Sequence, residues 1–430
     1  MGEAVVTVDP AGSLHRPGVV DVDGDRIAWV GPASAAPEPA GEVLELGGLL
    51  MPGLVNTHGH TAMTLLRGAG DGLPLDRWLA EAIWPVEGRL TDDDVLWGTL
   101  LGCHELLTCG VTTTCEQYAH QRAVADALVA SGMRGVLLSA VMEIPGGGPD
   151  LSWRRFLAEA TGLFDDLDGR HSALSVGFGP HSAYTLPVEA LVATAEAAGE
   201  RGALLGLHVA ETSGEGDEIA RVHGCSVPEL LERLGVLDGE VLAAHAVWLT
   251  PGDLDVLERH DVAVAHCPAS NGKLGSGVAD VPEMLRRGLR VGLGTDGPGS
   301  NNDLDLWDEM RLAPILARAV AADPDAISTE RALRLATVDG AAALRLATGS
   351  LEAGRFADVI RLDVDDGRFL PDTGDDTLLA HLVWAASSRL VTDVWVGGRR
   401  VVDGGRCTTI DAAEARHQVR RRADRLFDLP

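Results

Sequence analysis

The chain has 430 residues, of which 46% are hydrophobic, and its formal net charge at pH 7 is −29. This length and apolar content allow a large buried core and exclude a disordered protein. The negative charge would repel phosphate, which argues against nucleic acid as a partner, and no apolar run approaches the roughly 20 residues that span a membrane.

The cysteines and the amino terminus bear on location. The 6 cysteines show no CxxC pair and no disulfide-framework spacing. The first residues show no basic segment followed by an apolar one, as a secretory signal would. We therefore expect reduced thiols and a cytoplasmic protein, with a homo-oligomer left open.

Short β-type runs separated by turns mark both ends of the chain, and they predict one small β-sandwich assembled from both termini. This module would comprise residues 1–52 and 350–430 and would include a helical tail at the carboxyl end. The predicted strands are Ala4–Val8, Val19–Val22, Arg26–Val30 and Val43–Leu46, followed much later by Ala357–Arg361, Val391–Val396 and Arg400–Val402.

Residues 53–349 alternate strand patterns with helix patterns, which is typical of βα units. Eight such units predict an α/β fold of the TIM type, a (β/α)8 barrel with its active site at the carboxyl ends of the strands. The predicted strands are Gly53–Thr57, Val111–Cys115, Gly135–Val141, Ala173–Phe178, Ala203–Val209, Val241–Ala244, Val262–Ala265 and Arg290–Gly294.

Potential metal ligands stand where several of these strands end. His58 and His60 follow the first strand, His208 ends the fifth, and Asp296 follows the eighth. A His-x-His pair alone is weak evidence, because strand alternation puts both side chains on one face whatever their role. Together with ligands from two other strands, the pair predicts one metal ion held by these four residues.

Glu211 comes three residues after His208, just beyond the same strand. At that position a carboxyl group could take a proton from a water activated by the metal and deliver it to the substrate. The alternative is a carboxylate that stabilises a helix start through the helix dipole.

The only lysine of the chain is Lys273, which follows the seventh predicted strand. Binuclear barrels of this type bridge two metals with a carboxylated lysine from the fourth strand, and Ala173–Phe178 contains none. The sequence therefore excludes a lysine-bridged binuclear centre. The GxGxxG spacing at Gly292–Gly297 is not a dinucleotide site, because no acidic residue follows about 20 positions later.

Several motifs resemble the amidohydrolase superfamily, in the cytosine-deaminase-like branch that includes methylthioadenosine/S-adenosylhomocysteine deaminases and triazine hydrolases. The resemblance covers nearly the whole chain. The motifs are Pro52–His60, Ile83–Glu87, Gly179–Tyr184, Leu207–Thr212, His266–Leu274, Gly294–Gly297 and Gly349–Asp358.

The resemblance implies one divalent ion, zinc being favoured and iron left open, with Glu211 as the proton shuttle. His245 would orient or deprotonate the attacking water together with Asp296. The implied reaction is hydrolytic deamination of an amino-substituted N-heterocycle, most simply an adenine nucleoside such as adenosine, 5'-deoxyadenosine or methylthioadenosine. The substrate contacts would be Glu87 and His181, which match sugar and nucleoside contacts, with Trp84, Ser270 and Asn271.

Alternatives at this stage are a triazine-type hydrolase that displaces chloride or an amine, and a guanine-, pterin- or cytosine-type base deaminase. A non-catalytic binding barrel is disfavoured, because the ligand set and Glu211 are complete.

One departure bears on specificity. In the related deaminases an arginine at or after strand 3 helps to bind a thioether or amino-acid tail, whereas Ser139–Pro145 contains Glu143 and no arginine. Arg154 and Arg155 are the candidates that could replace it from the following loop. We therefore expect neutral nucleosides to be preferred over substrates with a carboxylated tail.

Overall fold

The computed structural model describes residues 1–143 and 152–428. Its amino-terminal strands are β1 (Ala4–Val6), β2 (Leu14–His15), β3 (Gly18–Asp23), β4 (Arg26–Pro32) and β5 (Leu49–Pro52). The prediction of a strand at Val43–Leu46 is wrong, since these residues form none. Gly47 and Gly48 both take left-handed φ values and turn the chain, so pairing with β1 begins only at Leu49.

The middle of the chain forms a parallel barrel, as predicted. Every neighbouring pair of strands is parallel. Asp296 N–H donates to His58 O at 3.0 Å, which joins the last strand to the first and closes the ring. The strands are β6 (Leu54–Gly59), β7 (Val111–Tyr118), β8 (Arg134–Val141), β9 (Leu174–Pro180), β10 (Leu205–Val209), β11 (Val241–His245), β12 (Ala263–His266) and β13 (Val291–Leu293).

The two chain ends share a second sheet, also as predicted. The carboxyl end contributes β14 (Val359–Leu362), β15 (Val391–Val396), β16 (Arg399–Asp403) and β17 (Arg406–Cys407). These strands continue through β5, β1 and β2 into one sheet, while β3 and β4 pair with each other separately. Val5, Ile27 and Leu50 belong to the apolar core between the two layers. The division into residues 1–52 with 350–430 and residues 53–349 stays a prediction.

The helices lie mainly between barrel strands and cover the ring from outside, as parallel sheets require. Within residues 1–143 and 152–428, no helix is both long enough and apolar enough to cross a membrane. The helices are α1 (Leu75–Arg77), α2 (Trp84–Glu87), α3 (Asp92–Thr108), α4 (Gln121–Ser131), α5 (Trp153–Leu167), α6 (Val188–Arg201), α7 (Ser213–His223), α8 (Val227–Arg233), α9 (Pro251–Arg259), α10 (Pro268–Lys273), α11 (Val281–Arg286), α12 (Leu306–Ala321), α13 (Thr329–Leu335), α14 (Val338–Ala343), α15 (Asp375–Trp384) and α16 (Ala412–Leu426), with a π-helical turn at Trp78–Ile83 and 3-10 turns at Ala33–Ala35, Thr61–Leu66, Gly367–Phe369 and Ser388–Leu390.

Candidate metal centre and active site

The predicted metal ligands meet at the carboxyl end of the barrel. Asp296 Oδ1 lies 3.2 Å from His60 Nε2 and 3.5 Å from His58 Nε2. His60 Nε2 is also 3.4 Å from His208 Nε2. His58 and His60 share one face because they alternate along β6, and the ring closure brings Asp296 to them. The structure thus gathers four side chains from three strand ends around one point.

This cluster fits a bound metal ion. Two overlapping triads, one of His58, His60 and Asp296 and one of His58, His208 and His245, each have donor atoms within 4.8 Å of one another. His58 Nε2 is buried and has no hydrogen-bond partner among the described residues. Because buried polar atoms in proteins are nearly always satisfied, an atom aimed into such a donor set suits metal coordination.

Backbone contacts orient two of the rings toward the cluster. His208 Nδ1 bonds to His181 O at 2.7 Å, and His60 Nδ1 bonds to Gln117 O. Each contact leaves Nε2 to face the centre, as second-shell bonds of metal ligands do. Burial lowers the pKa of His58 to about 4 and that of His208 well below its usual range. The His58 and His208 rings are therefore held neutral, which is the form that binds metals.

Two hydroxyl groups hold Asp296. Ser270 Oγ donates to its Oδ2 at 2.6 Å, and Ser300 Oγ donates to the same oxygen at 2.7 Å. Burial alone would raise the pKa of Asp296, but the adjacent His58 and His60 side chains hold it well below its usual range. The carboxylate is therefore ionised, with Oδ1 facing the histidines. Sequence reasoning missed Ser300, although its position four residues beyond Asp296 in the same turn was a usable signal.

Glu211 and His245 stand together beside the cluster. Glu211 Oε2 lies 3.9 Å from His245 Nε2, and both side chains are buried. Burial raises the pKa of Glu211, while the nearby His245 opposes the shift. A raised pKa brings a carboxyl group closer to the pH at which it can both take up and release a proton, which suits a proton shuttle.

Asn271 lies behind His245 rather than in open space. Its Oδ1 is 2.8 Å from His245 Nδ1, and its side chain is buried. If the amide oxygen accepts from Nδ1–H, the lone pair of a neutral His245 ring lies on Nε2, on the side of Glu211. Ser270 and Asn271 thus contact Asp296 and His245, respectively, and their predicted contact with substrate stays a prediction.

Two of the remaining predicted substrate residues, Glu87 and His181, lie close to the cluster. Tyr118 Oη donates to Glu87 Oε1 at 2.7 Å, and the Tyr118 ring lies 6.3 Å from that of His60. The His181 ring lies 4.7 Å from that of His208. Trp84, at the start of the turn that carries Glu87, is 42% exposed. Tyr118 was missed in the sequence, although it ends β7 as His208 and His245 lie at the ends of their strands.

Lys273 lies away from the fourth barrel strand. Its Nζ donates to Gly299 O at 3.2 Å and to Asn302 Oδ1. These contacts tie α10 to the segment that follows Asp296. That no lysine bridges two metals here stays a prediction.

A closed parallel barrel with a cluster of histidine and aspartate side chains at its strand ends is typical of metal-dependent barrel hydrolases. The chain belongs to the amidohydrolase family, whose sequence model matches residues 49–401. The family resemblance predicted from the motifs is confirmed.

Individual relatives agree with this assignment over nearly their whole length. A 5-methylthioadenosine/S-adenosylhomocysteine deaminase from Pelotomaculum thermopropionicum is 39% identical over 99% of this chain and 98% of its own. A 5'-deoxyadenosine deaminase from Methanothermobacter thermautotrophicus is 38% identical over 93% of this chain and 92% of its own. The crystal structure of an adenosine deaminase from Xanthomonas campestris with bound zinc is 32% identical, covers 99% of this chain and 98% of its own, and superposes with a TM-score of 0.93.

Proposed function

We propose that this protein is a metal-dependent deaminase that hydrolyses the bond between the ring carbon and the amino group of an adenine nucleoside and releases ammonia. The observation that carries the proposal is the buried Glu211–His245 pair, 3.9 Å apart, beside the cluster of His58, His60, His208 and Asp296. The deaminase names of the relatives at 38–39% identity support the nucleoside as substrate. They disfavour the triazine-hydrolase and base-deaminase alternatives.

We infer that His58, His60, His208 and Asp296 would hold one divalent ion. Zinc is supported by the donor set and by the zinc-bound relative, and iron stays the alternative. When bound, such an ion supplies Lewis acidity and lowers the pKa of a water molecule on it to about 7.

Different side chains accept the proton of the attacking water and protonate the substrate ring. Water contributes the new oxygen, and its proton passes to Asp296 and His245, whose Nε2 is the acceptor once Nδ1 is committed to Asn271. Glu211 delivers a proton to the ring nitrogen next to the attacked carbon, so negative charge does not accumulate there. The amino nitrogen then takes the proton that Asp296 and His245 received, the carbon–nitrogen bond breaks, and ammonia leaves. The added hydroxyl group gives its remaining proton back to Glu211, so a carbonyl group remains on the ring.

Glu87 would recognise the sugar. A carboxylate can accept bonds from two vicinal hydroxyl groups while also accepting one from Tyr118. His181, whose Nδ1 lies 3.0 Å from Thr185 Oγ1, would contact the nucleoside from the side of β9. A free base lacks the hydroxyl groups that Glu87 would bind, which favours nucleosides over bases.

Neutral substrates fit the surroundings better than substrates with a carboxylated tail. Arg154 stacks on the Trp153 ring at 4.2 Å, and Arg155 Nε pairs with Glu159 at 2.8 Å on exposed surface. Glu143, at the exit of β8, accepts from Trp153 N–H at 2.9 Å. Ile144 and Pro145 of the predicted exit lie outside the described residues. With both arginines engaged along α5, a carboxylated tail would meet the negative potential of Glu143 and of the whole chain.

The test is a comparison of ammonia release across substrates by the zinc-loaded protein. We expect kcat/KM to be highest for adenosine, 5'-deoxyadenosine or methylthioadenosine, and lower for S-adenosylhomocysteine, guanine, cytosine and a pterin. Chloride release from atrazine in the absence of nucleoside deamination would overturn the proposal in favour of a triazine hydrolase. The cytoplasmic location and the homo-oligomer stay predictions.

A further inference from the structure

Glu215 makes an unusual contact at the start of α7. Thr212 caps this helix by accepting from Glu215 N–H at 3.3 Å. In a capping box the third-position carboxylate returns to the N–H of the cap residue itself, as Glu229 does for Ser226 on α8. Glu215 instead reaches one residue further back, and its Oε2 accepts from Glu211 N–H at 2.9 Å.

The backbone that Glu215 holds is a corner between strand and helix. Ala210 has a φ of +50°, a left-handed conformation that is unfavourable for a residue other than glycine. Its carbonyl accepts from Val247 N–H at 3.1 Å and Trp248 N–H at 2.9 Å, in the segment that follows His245. The corner therefore sets how Glu211 faces His245.

Burying the Glu215 carboxyl group costs folding stability, and its hydrogen bond to Glu211 N–H would explain why a carboxyl group stands there. Its side chain is only 4% exposed, and burial raises the pKa of its carboxyl group to about 8. Its Oε1 has no hydrogen-bond partner among the described residues. A buried polar group that is only half satisfied is destabilising, so packing alone would favour an apolar side chain here.

We propose that Glu215 is a positioning residue, whose carboxyl group holds the Glu211 N–H and so fixes the proton shuttle opposite His245. The kinetic part of this inference rests on the proposed function, whereas the contact itself can be tested without turnover.

The experiment compares three variants. Glu215→Met keeps most of the volume but removes the acceptor, and Glu215→Gln keeps an amide oxygen that can accept from the same N–H. The matched control is Glu229→Ala, which removes the corresponding capping contact on α8, where the exposed Glu229 accepts from Ser226 N–H through Oε2 at 3.2 Å. For each variant we would measure kcat, KM, bound metal, melting temperature and amide hydrogen exchange across residues 207–215.

We expect Glu215→Met to lose on the order of tenfold to a hundredfold in kcat, with little change in KM or bound metal, because misplaced catalytic groups cost rate before binding. Exchange across residues 207–215 should accelerate. Glu215→Gln should keep kcat and the exchange rate across residues 207–215 near their wild-type values. Glu229→Ala should keep full kcat and unchanged exchange in that segment, even where its melting temperature falls.

Unchanged kcat and unchanged exchange in Glu215→Met would overturn the inference. Equal losses in Glu215→Met and Glu215→Gln would also do so, since the acceptor would then be irrelevant. If Glu215→Met does not fold, Glu215→Ala is compared with Glu215→Gln by the same criteria. A wild-type protein without deaminase activity would refute the proposed function alone, because the exchange data would still decide whether Glu215 holds Glu211.

Discussion

Replacing Glu211 by glutamine is the sharpest test of the proposed proton shuttle. The amide has the shape of the carboxyl group and fits the same buried site, but it cannot pass a proton to a ring nitrogen. Glu211 belongs to neither triad of clustered donor atoms, so the variant should keep its metal. Loss of general acid–base catalysis should lower kcat about 10²–10⁴-fold, which corresponds to about 3–5 kcal/mol of barrier.

The assay is ammonia release from an adenine nucleoside, with metal content measured on the same samples. Glu218→Gln is a matched control, because Glu218 is exposed on α7, the helix that follows Glu211, and pairs with Arg221 at 2.6 Å. We expect the control to keep full activity. A Glu211→Gln variant that keeps both its metal and its kcat would refute the reasoning and leave Glu211 as a carboxylate that merely stabilises a helix start.

Three further predictions concern the metal, the sugar and the tautomer of His245. Elemental analysis should find one tightly bound divalent ion per chain, whose removal by a chelator abolishes activity and whose return restores it; two tight ions would contradict the ligand set. Tyr118→Phe removes the 2.7 Å bond to Glu87 and should lower kcat/KM for ribonucleosides roughly tenfold or more. The same change should spare 2',3'-dideoxy analogues, and an equal loss on both would argue against a sugar role. Asn271→Leu should lower kcat at least about tenfold, whereas Asn271→Asp, which still accepts from His245 Nδ1–H, should keep most of it. Nitrogen-15 NMR of the histidines would show the tautomer of His245 directly. Full activity in the leucine variant would contradict the assignment.

Strand-end residues were the part of the site that sequence could predict. His58 and His60 could be placed because strand alternation is local, and the barrel pattern then put His208 and Asp296 at the same rim. Their actual gathering around one point agrees with that logic.

Contacts between segments were not predictable in the same way. The bonds from Ser270 to Asp296 and from His245 to Asn271 each join residues 26 positions apart, and they depend on how α10 is set over the barrel. The Val43–Leu46 run has strand composition, but the two left-handed glycines after it shift the start of the real strand to Leu49. Tertiary pairing thus overrode local β propensity.

Closure of the barrel links folding of the chain to metal binding. Asn56 Nδ2 donates to Thr295 Oγ1 at 2.9 Å across 239 residues of chain, so joining the first and last strands closes a very long loop. Of the four proposed ligands, His58 and His60 lie on one side of this seam and Asp296 on the other, while His208 comes from β10. A growing chain on the ribosome cannot assemble the complete set until its eighth strand has emerged. Metal capture at this site would therefore report that the ring has closed, and would favour the finished fold over its intermediates by mass action.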